Sequence, residues 1–213
     1  MQRRELLGSL GVLAMAGSLP VCAQSKLDVP AGRYRLDPTH ASLLWRISHF
    51  GLSNYTARFT RFDVQLDFDP ADLARSSAQA TIDMASIETD YPPGFNKRDW
   101  NGDLRSEKFF NVGKFREATW RSKKVQSVEG NRMRVAGDLA LLGVSAPVPL
   151  EVTLNAGFRS RPPTNLPTIG FSARGTLDRR MFGMLTPPPP TPPEPGVSAS
   201  VEIIIEAEFI LPA

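Results

Sequence analysis

Leu43-Leu44-Trp45-Arg46-Ile47-Ser48-His49 and Phe62-Asp63-Val64-Gln65-Leu66-Asp67-Phe68 are the two stretches on which the fold class turns. In the first, Leu43, Trp45, Ile47 and His49 share one parity, against Arg46 and Ser48 on the other. In the second, Phe62, Val64, Leu66 and Phe68 alternate with Asp63, Gln65 and Asp67. Successive side chains of a strand point to opposite faces, so this pattern predicts strands with one dry and one wet side. The same alternation recurs through Ala78, Ala80, Ile82 and Met84, then through Met133, Val135, Leu139 and Leu141. It returns in Val148, Leu150, Val152 and Leu154, in Ile169, Phe171, Ala173 and Leu177, and in the last strand through Val201, Ile203, Ile205, Ala207 and Phe209. Glu129-Gly130-Asn131 supplies hairpin chemistry between two of these segments. No long helical period and no βαβ rhythm interrupt the series. About eight such strands predict an all-β antiparallel barrel or sandwich, and periodicity leaves both open because each buries one side of every strand.

Two segments depart from the alternation. Asp90 to Lys114 holds a proline pair, several glycines and Phe109-Phe110. It predicts a long excursion with short helical turns, one starting at Ser106-Glu107 and all capping one end of a barrel. One of the two phenylalanines is expected to turn into that end and the other to pack outside. Thr186 to Gly196 is dominated by Pro187 to Pro190, Pro192, Pro193 and Pro195. Proline cannot donate to a ladder and favours an extended conformation, so residues 186–196 are expected to form a protruding, stiff connector.

Residues 1–23 read as a cleaved leader. Arg3-Arg4 precedes an apolar run from Leu6 to Leu19, and Val21-Cys22-Ala23 offers small residues before a cut. Arg3-Arg4-x-Leu6-Leu7 is close to the twin-arginine export pattern. The chain's one cysteine, Cys22, lies in this leader, so the domain at 24–213 has no disulfide and must be stabilised by burial. Its expected location is the periplasm, as a monomer or homodimer. The sequence has 25 basic and 22 acidic residues. These charges are interspersed rather than blocked, which argues for an ordinary solvated surface and against a nucleic-acid partner. No transmembrane segment is expected in the mature chain.

Tyr34-x-Leu36-Asp37-Pro38-x-His40-x-Ser42, with His49, Phe59 and Phe62, resembles the opening of the YceI family, periplasmic lipocalin-like barrels that bind long isoprenoid or other lipid chains. Ile82-Asp83-x-x-Ser86-Ile87-x-Thr89, Arg98-Asp99, Leu104-Arg105-Ser106-Glu107-Lys108-Phe109-Phe110 and Gly137-Asp138-Leu139-x-Leu141-x-Gly143-Val144 are similar too, as are Arg179 to Gly183 and the closing strand near Val201. The resemblance implies the closed barrel, and a ligand of the polyisoprenoid, isoprenoid quinone or other long-chain amphiphile class. The Pro-rich stretch departs from the usual family hairpin.

If the inward parities share one interior, Leu43, Trp45, Ile47, Val64, Leu66 and Ile82 line it from the first half of the chain, with Phe109 from the excursion. Val135, Leu139, Val152, Phe171 and Ile203 complete the lining from the second half. Such a set encloses either a solid core or a tunnel. The expected head-group residues are His49, at the end of an apolar strand face, His40 and Arg98, the last a guanidinium suited to an oxygen-bearing group. His40 and His49 fall on opposite parities, so they share a face only if a bulge intervenes. With no cysteine in the domain, carboxylates would have to complete any zinc site, and the residues require no metal or other cofactor. Gly-x-Ser-x-Gly, His-Glu-x-x-His and Cys-x-x-Cys are absent from the sequence. The expected role is a non-enzymatic carrier. Two rivals are an enzyme acting on a lipid-like substrate through Asp37, His40 or His49, and an envelope adaptor that presents the Pro-rich loop.

Overall fold

The computed structural model describes residues 28–92, 94–95, 97–189 and 195–213. The expected leader and residues 190–194 of the Pro-rich stretch lie outside the described residues. The strands are β1 (Gly32–His49), β2 (Ser53–Phe59), β3 (Phe62–Phe68), β4 (Ser77–Asp83) and β5 (Ile87–Glu88), followed by a short helix α1 (Trp100–Arg105). Then come β6 (Glu117–Glu129), β7 (Arg132–Leu141), β8 (Val144–Pro147), β9 (Leu150–Arg161), β10 (Leu166–Asp178) and β11 (Val197–Ile210). All pairings are antiparallel, and eight strands close a ring in the order β1, β3, β4, β6, β7, β9, β10, β11 and back to β1. The fold is thus the closed member of the two all-β architectures compatible with the alternation.

β1 holds the ring together by pairing with three partners. Its first residues meet β3, its last seven meet β2, and β11 runs along most of its length. Between Leu36 and Ala41 the chain takes five steps while β11 takes two, from Phe209 to Ala207. The three extra residues reverse the parity: Tyr34 and Leu36 are buried on even positions before the bulge, and Leu43, Trp45 and Ile47 turn inward on odd positions after it. Pro38, which has no N–H for a ladder, sits in this bulge. The Asp37 carboxylate accepts from the Thr39 N–H at 2.9 Å and fixes the turn.

The hairpins follow their local chemistry. Between β7 and β8 the two loop residues Leu142 and Gly143 both have positive φ, 53° and 78°, as a tight hairpin turn requires. At the end of β1, Phe50 (φ 56°) and Gly51 (φ 72°) make the corresponding turn into β2, closed by the Leu52 N–H on the His49 carbonyl at 3.0 Å.

The helix of the excursion starts earlier than the sequence suggests. Asp99, not Ser106, caps its N-terminus by accepting from the Gly102 N–H at 2.8 Å, and Ser106 ends it. The excursion is knitted to β5 through Asn101, whose amide donates to Glu88 at 2.8 Å while its carbonyl oxygen accepts from the Thr89 hydroxyl at 2.7 Å.

The interior divides into two halves along the barrel axis. In one, Tyr34, Phe68, Phe171 and Phe209 meet edge to face in series, at ring separations of 6.0, 6.0 and 5.8 Å. Tyr34 is completely buried and its hydroxyl donates to the Pro30 carbonyl at 2.8 Å. In the other half the bore is hollow.

Candidate functional site: an apolar cavity in the open half of the barrel

The hollow half encloses about 530 Å³, within the range of roughly 300–1,000 Å³ usual for small-molecule pockets. Each strand contributes its inward residues from the same height. β1 gives Leu43, Trp45, Ile47 and His49; β3 and β4 give Phe62, Val64, Ala80 and Ile82; β6 and β7 give Ala118, Trp120, Leu139 and Leu141. Leu150 and Leu177 continue the wall on β9 and β10, and Val201, Ile203 and Ile205 close it on β11. His49, Ser53 and Arg98 lie on this wall and are solvent-exposed, so the cavity reaches the surface at the end of the β1–β2 hairpin.

Of the apolar residues expected to line a tunnel, Leu43, Trp45, Ile47, Val64, Ile82, Phe109, Leu139 and Ile203 are on the cavity wall. Leu66, Val135, Val152 and Phe171 have the inward parity but sit farther along their strands, against the packed core of the closed half. Phe109 and Phe110 do not divide their roles as expected. Both line the cavity, because the chain folds back under α1, with the Phe110 N–H on the Leu104 carbonyl at 3.0 Å. Phe109 packs on Trp100 and Phe110 on Phe59.

Among the polar candidates, His49 and Arg98 are at the cavity and His40 is not. Arg98 donates to Asp103 at 2.6 Å and lies 4.0 Å over the Trp100 ring, so its head is turned along the rim. His40 sits in the β1 bulge, where Nδ1 is 2.9 Å from Asp37 and 4.0 Å from Glu208. Thr39 first, and then His40, hold the Asp37 carboxyl below the usual carboxylate range against the opposing effect of burial. Asp37, His40 and Glu208 offer ligand atoms within 4.8 Å of one another, but Arg161 already pairs with Glu208 at 3.2 Å. None of the three lines the cavity.

Arg179 is the residue at this site that alternation had no means of finding. It follows β10, lines the cavity and is only 4% exposed. Its guanidinium donates to five backbone carbonyls, those of Met184, Thr186, Pro187, Val197 and Ser198. Two of these carbonyls are at the start of β11, where the register with β1 slips between Ile47 and His49. The rigid fork of arginine thus gathers acceptors that an irregular ladder leaves over, and pins the segment 184–187 into the cavity mouth. Burial pushes this guanidinium down from its ordinary value, partly offset by Asp178. Tyr55, another wall residue, lies in β2, a strand whose alternation is weak; it faces the interior because it pairs with Ile47.

A YceI-like domain model matches residues 34–209. The chain belongs to the YceI-like family. Protein YceI of Salmonella arizonae is 31% identical over 209 residues, covering 98% of both chains. Among solved structures, BcnA of Burkholderia cenocepacia has the same fold, with a TM-score of 0.67 at 22% identity, over 81% of this chain and 98% of that one. A polyisoprenoid binding domain from Saccharophagus degradans aligns with a TM-score of 0.58 at 16% identity, over 84% of this chain and 98% of that one. The match to the YceI-like model begins at Tyr34 in β1 and ends at Phe209 in β11, so it takes in all eight strands of the ring. Among the described residues no helix is long and apolar enough to cross a membrane.

Proposed function

We propose that this protein is an exported, non-enzymatic carrier that holds the chain of a polyisoprenoid, an isoprenoid quinone or another long-chain amphiphile in the hollow half of its barrel. The observation that carries this reading is the apolar cavity of about 530 Å³ inside a closed ring of strands, reaching the surface beside His49, Ser53 and Arg98. Burial of hydrocarbon there contributes roughly 0.8 kcal/mol per methylene, so a chain of a few isoprene units binds without any specific polar contact. The polar end then rests near the mouth, beside His49 and Arg98. Membership of the YceI-like family supports the reading, as does likeness in fold to a domain described as polyisoprenoid-binding. Export rests on the leader at residues 1–23. Asp37 and His40 lie off the cavity wall, so this reading assigns them no chemistry on the lipid.

Native mass spectrometry of the protein purified from its own envelope, followed by solvent extraction, tests the proposal. One co-purifying lipid species is expected, and it should be lost in Ala80→Phe, which places a ring in the cavity from the β4 wall. Protein that emerges without lipid, and that takes up none from micelles, would sink the carrier reading.

A further inference from the structure

Eight large apolar side chains are exposed among the described residues, and five of them stand where the cavity opens. Phe50 and Leu52, 43% and 85% exposed, form the tip of the β1–β2 hairpin, between the wall residues His49 and Ser53. Phe95, 76% exposed, meets the ring of Tyr91 on the wall at 6.2 Å. Leu185, 59% exposed, stands between the wall residues Met184 and Thr186, and Met181 is two residues beyond Arg179. The Phe50 N–H donates to the Gly196 carbonyl at 3.0 Å, so the hairpin tip and the chain entering β11 meet at the same rim. The other three, Val128, Val144 and Phe158, lie singly on β6, β8 and β9, as apolar residues do on an ordinary surface.

The rim is also uncharged. Residues 47–57, 91–96 and 181–193, the three stretches that carry these side chains, contain no Asp, Glu, Lys or Arg, although such residues make up 22% of the chain. Several charges that flank these stretches are paired: Arg58 with Asp90, Arg180 with Asp178 and, beside Lys97, Arg98 with Asp103. We infer that this rim docks on the surface of a phospholipid bilayer, with its apolar tips in the interface and the paired charges against the headgroups. The apolar groups are prongs on three separate loops around an opening, a shape that a fluid layer accommodates and that offers a rigid protein no continuous face. Paired opposite charges complement the phosphate and ammonium of zwitterionic lipid. The prongs also continue the apolar wall of the cavity, so a tail that passes from bilayer to barrel never exposes its methylenes to water. The inference rests on the carrier reading and adds the surface on which the carrier loads.

The test is co-sedimentation of the full chain with phosphatidylcholine vesicles, with and without phosphatidylglycerol, at low salt and at about 1 M salt, where the Debye length is about 3 Å. Binding is expected in every case. Leu52→Ser with Phe95→Ser, two changes at exposed side chains off the cavity wall, should weaken it about tenfold or more. Thermal midpoint and uptake of lipid from micelles should be unchanged in that variant. A second reading needs no variant: vesicles should slow amide exchange at 50–53, 94–95 and 184–186 and not around Tyr34. Binding that requires phosphatidylglycerol and vanishes at high salt would overturn the docking surface, as would protection elsewhere on the barrel or undiminished binding by the double variant. A wild-type protein that ignores vesicles would overturn it too. Sedimentation velocity would then give the rim to a second copy if the chain self-associates through Leu52 and Phe95, and to another protein if it stays a monomer. Any of these results beside normal uptake from micelles leaves the carrier intact, whereas a wild-type protein that takes up no lipid overturns the carrier reading and the inference built on it.

Discussion

At the closed end of the barrel, Tyr34, Phe68, Phe171 and Phe209 meet ring to ring across the bore; at the open end, the same strands contribute Leu43, Val64, Leu177 and Ile203 and enclose empty space. Both ends are apolar and both come from a period-two pattern, which in β1 changes parity at the bulge between them. The difference lies in side-chain size at each height and in what caps the bore. Interiors pack to crystal-like density when rings interdigitate, as they do around Phe171. At the open end the rim is tied by Arg179 on five carbonyls and by Asn101 between β5 and α1. One half therefore supplies stability and the other supplies room.

Paired truncations are the most direct way to break this contrast. Phe171→Ala should lower stability by about 3–5 kcal/mol and Leu66→Ala by about 2–5 kcal/mol, both in the packed end. Leu43→Ala, the same deletion on the cavity wall, should cost only about 1 kcal/mol, because its side chain already lacks neighbours on one side. Urea midpoints at constant slope measure all three. Equal losses for Leu66→Ala and Leu43→Ala would mean that the two halves are packed alike.

Arg179→Lys sharpens the comparison at the rim. Lysine keeps the charge but has three donors on a single nitrogen, so at least two carbonyls lose their partner. We expect a loss of about 2–3 kcal/mol, with faster amide exchange confined to the mouth segments 184–187 and 197–198. Exchange that rises evenly around the barrel would remove the special role of this residue.

Acid should act on the open end first. Glu88 is held below the ordinary carboxylate range chiefly by Asn101, and Asp178 chiefly by Arg180. For Asp83, burial pushes upward, but hydrogen bonds from Arg61, the Ala85 N–H and Arg116 outweigh it and lower the value. Asp83 and Asp178 each adjoin wall residues in the chain, Ile82 and Met84 for one and Leu177 and Arg179 for the other, and Glu88 is tied to α1 through Asn101. Because their folded-state values lie below the unfolded ones, their contribution is complete above the ordinary carboxylate range and fades as pH falls through the folded values. The arginine partners of Asp83 and Asp178 are exposed and screened by solvent, so each contact contributes little. Amide protection, taken relative to the intrinsic exchange rate at each pH from 7 to 3, should therefore fall in residues 177–184 before it does around Tyr34, and Asp83→Asn should flatten the acid limb. Simultaneous loosening of both ends would contradict the assignment.

Much of this architecture is legible in the chain. The strands at 62–68, 132–141, 166–178 and 197–210 follow from alternation, and the hairpin at Glu129-Gly130-Asn131 from its turn residues. Even the change of parity within β1 can be read, since Tyr34 and Leu36 are even, Leu43 and Trp45 odd, and Pro38 lies between them. Asp99 and Ser106 are both competent caps, and only the path of the excursion makes Asp99 the start of the helix and Ser106 its end. Tyr55 and Arg179 gave no periodic signal: one lies in a short strand of mixed polarity, and the other acts on carbonyls that are loose only because β11 slips against β1.

The sequence by itself determined which face of the regularly alternating strands is dry, because a period of two needs no knowledge of the neighbours. Height along the bore was decided by the tertiary structure alone. Leu66 and Val64, or Val135 and Leu139, share parity and chemistry, yet one of each pair meets the aromatic plug and the other faces the cavity. That depends on the register in which strands far apart in the chain are hydrogen-bonded, above all β1 on β11, and register is a property of the closed ring.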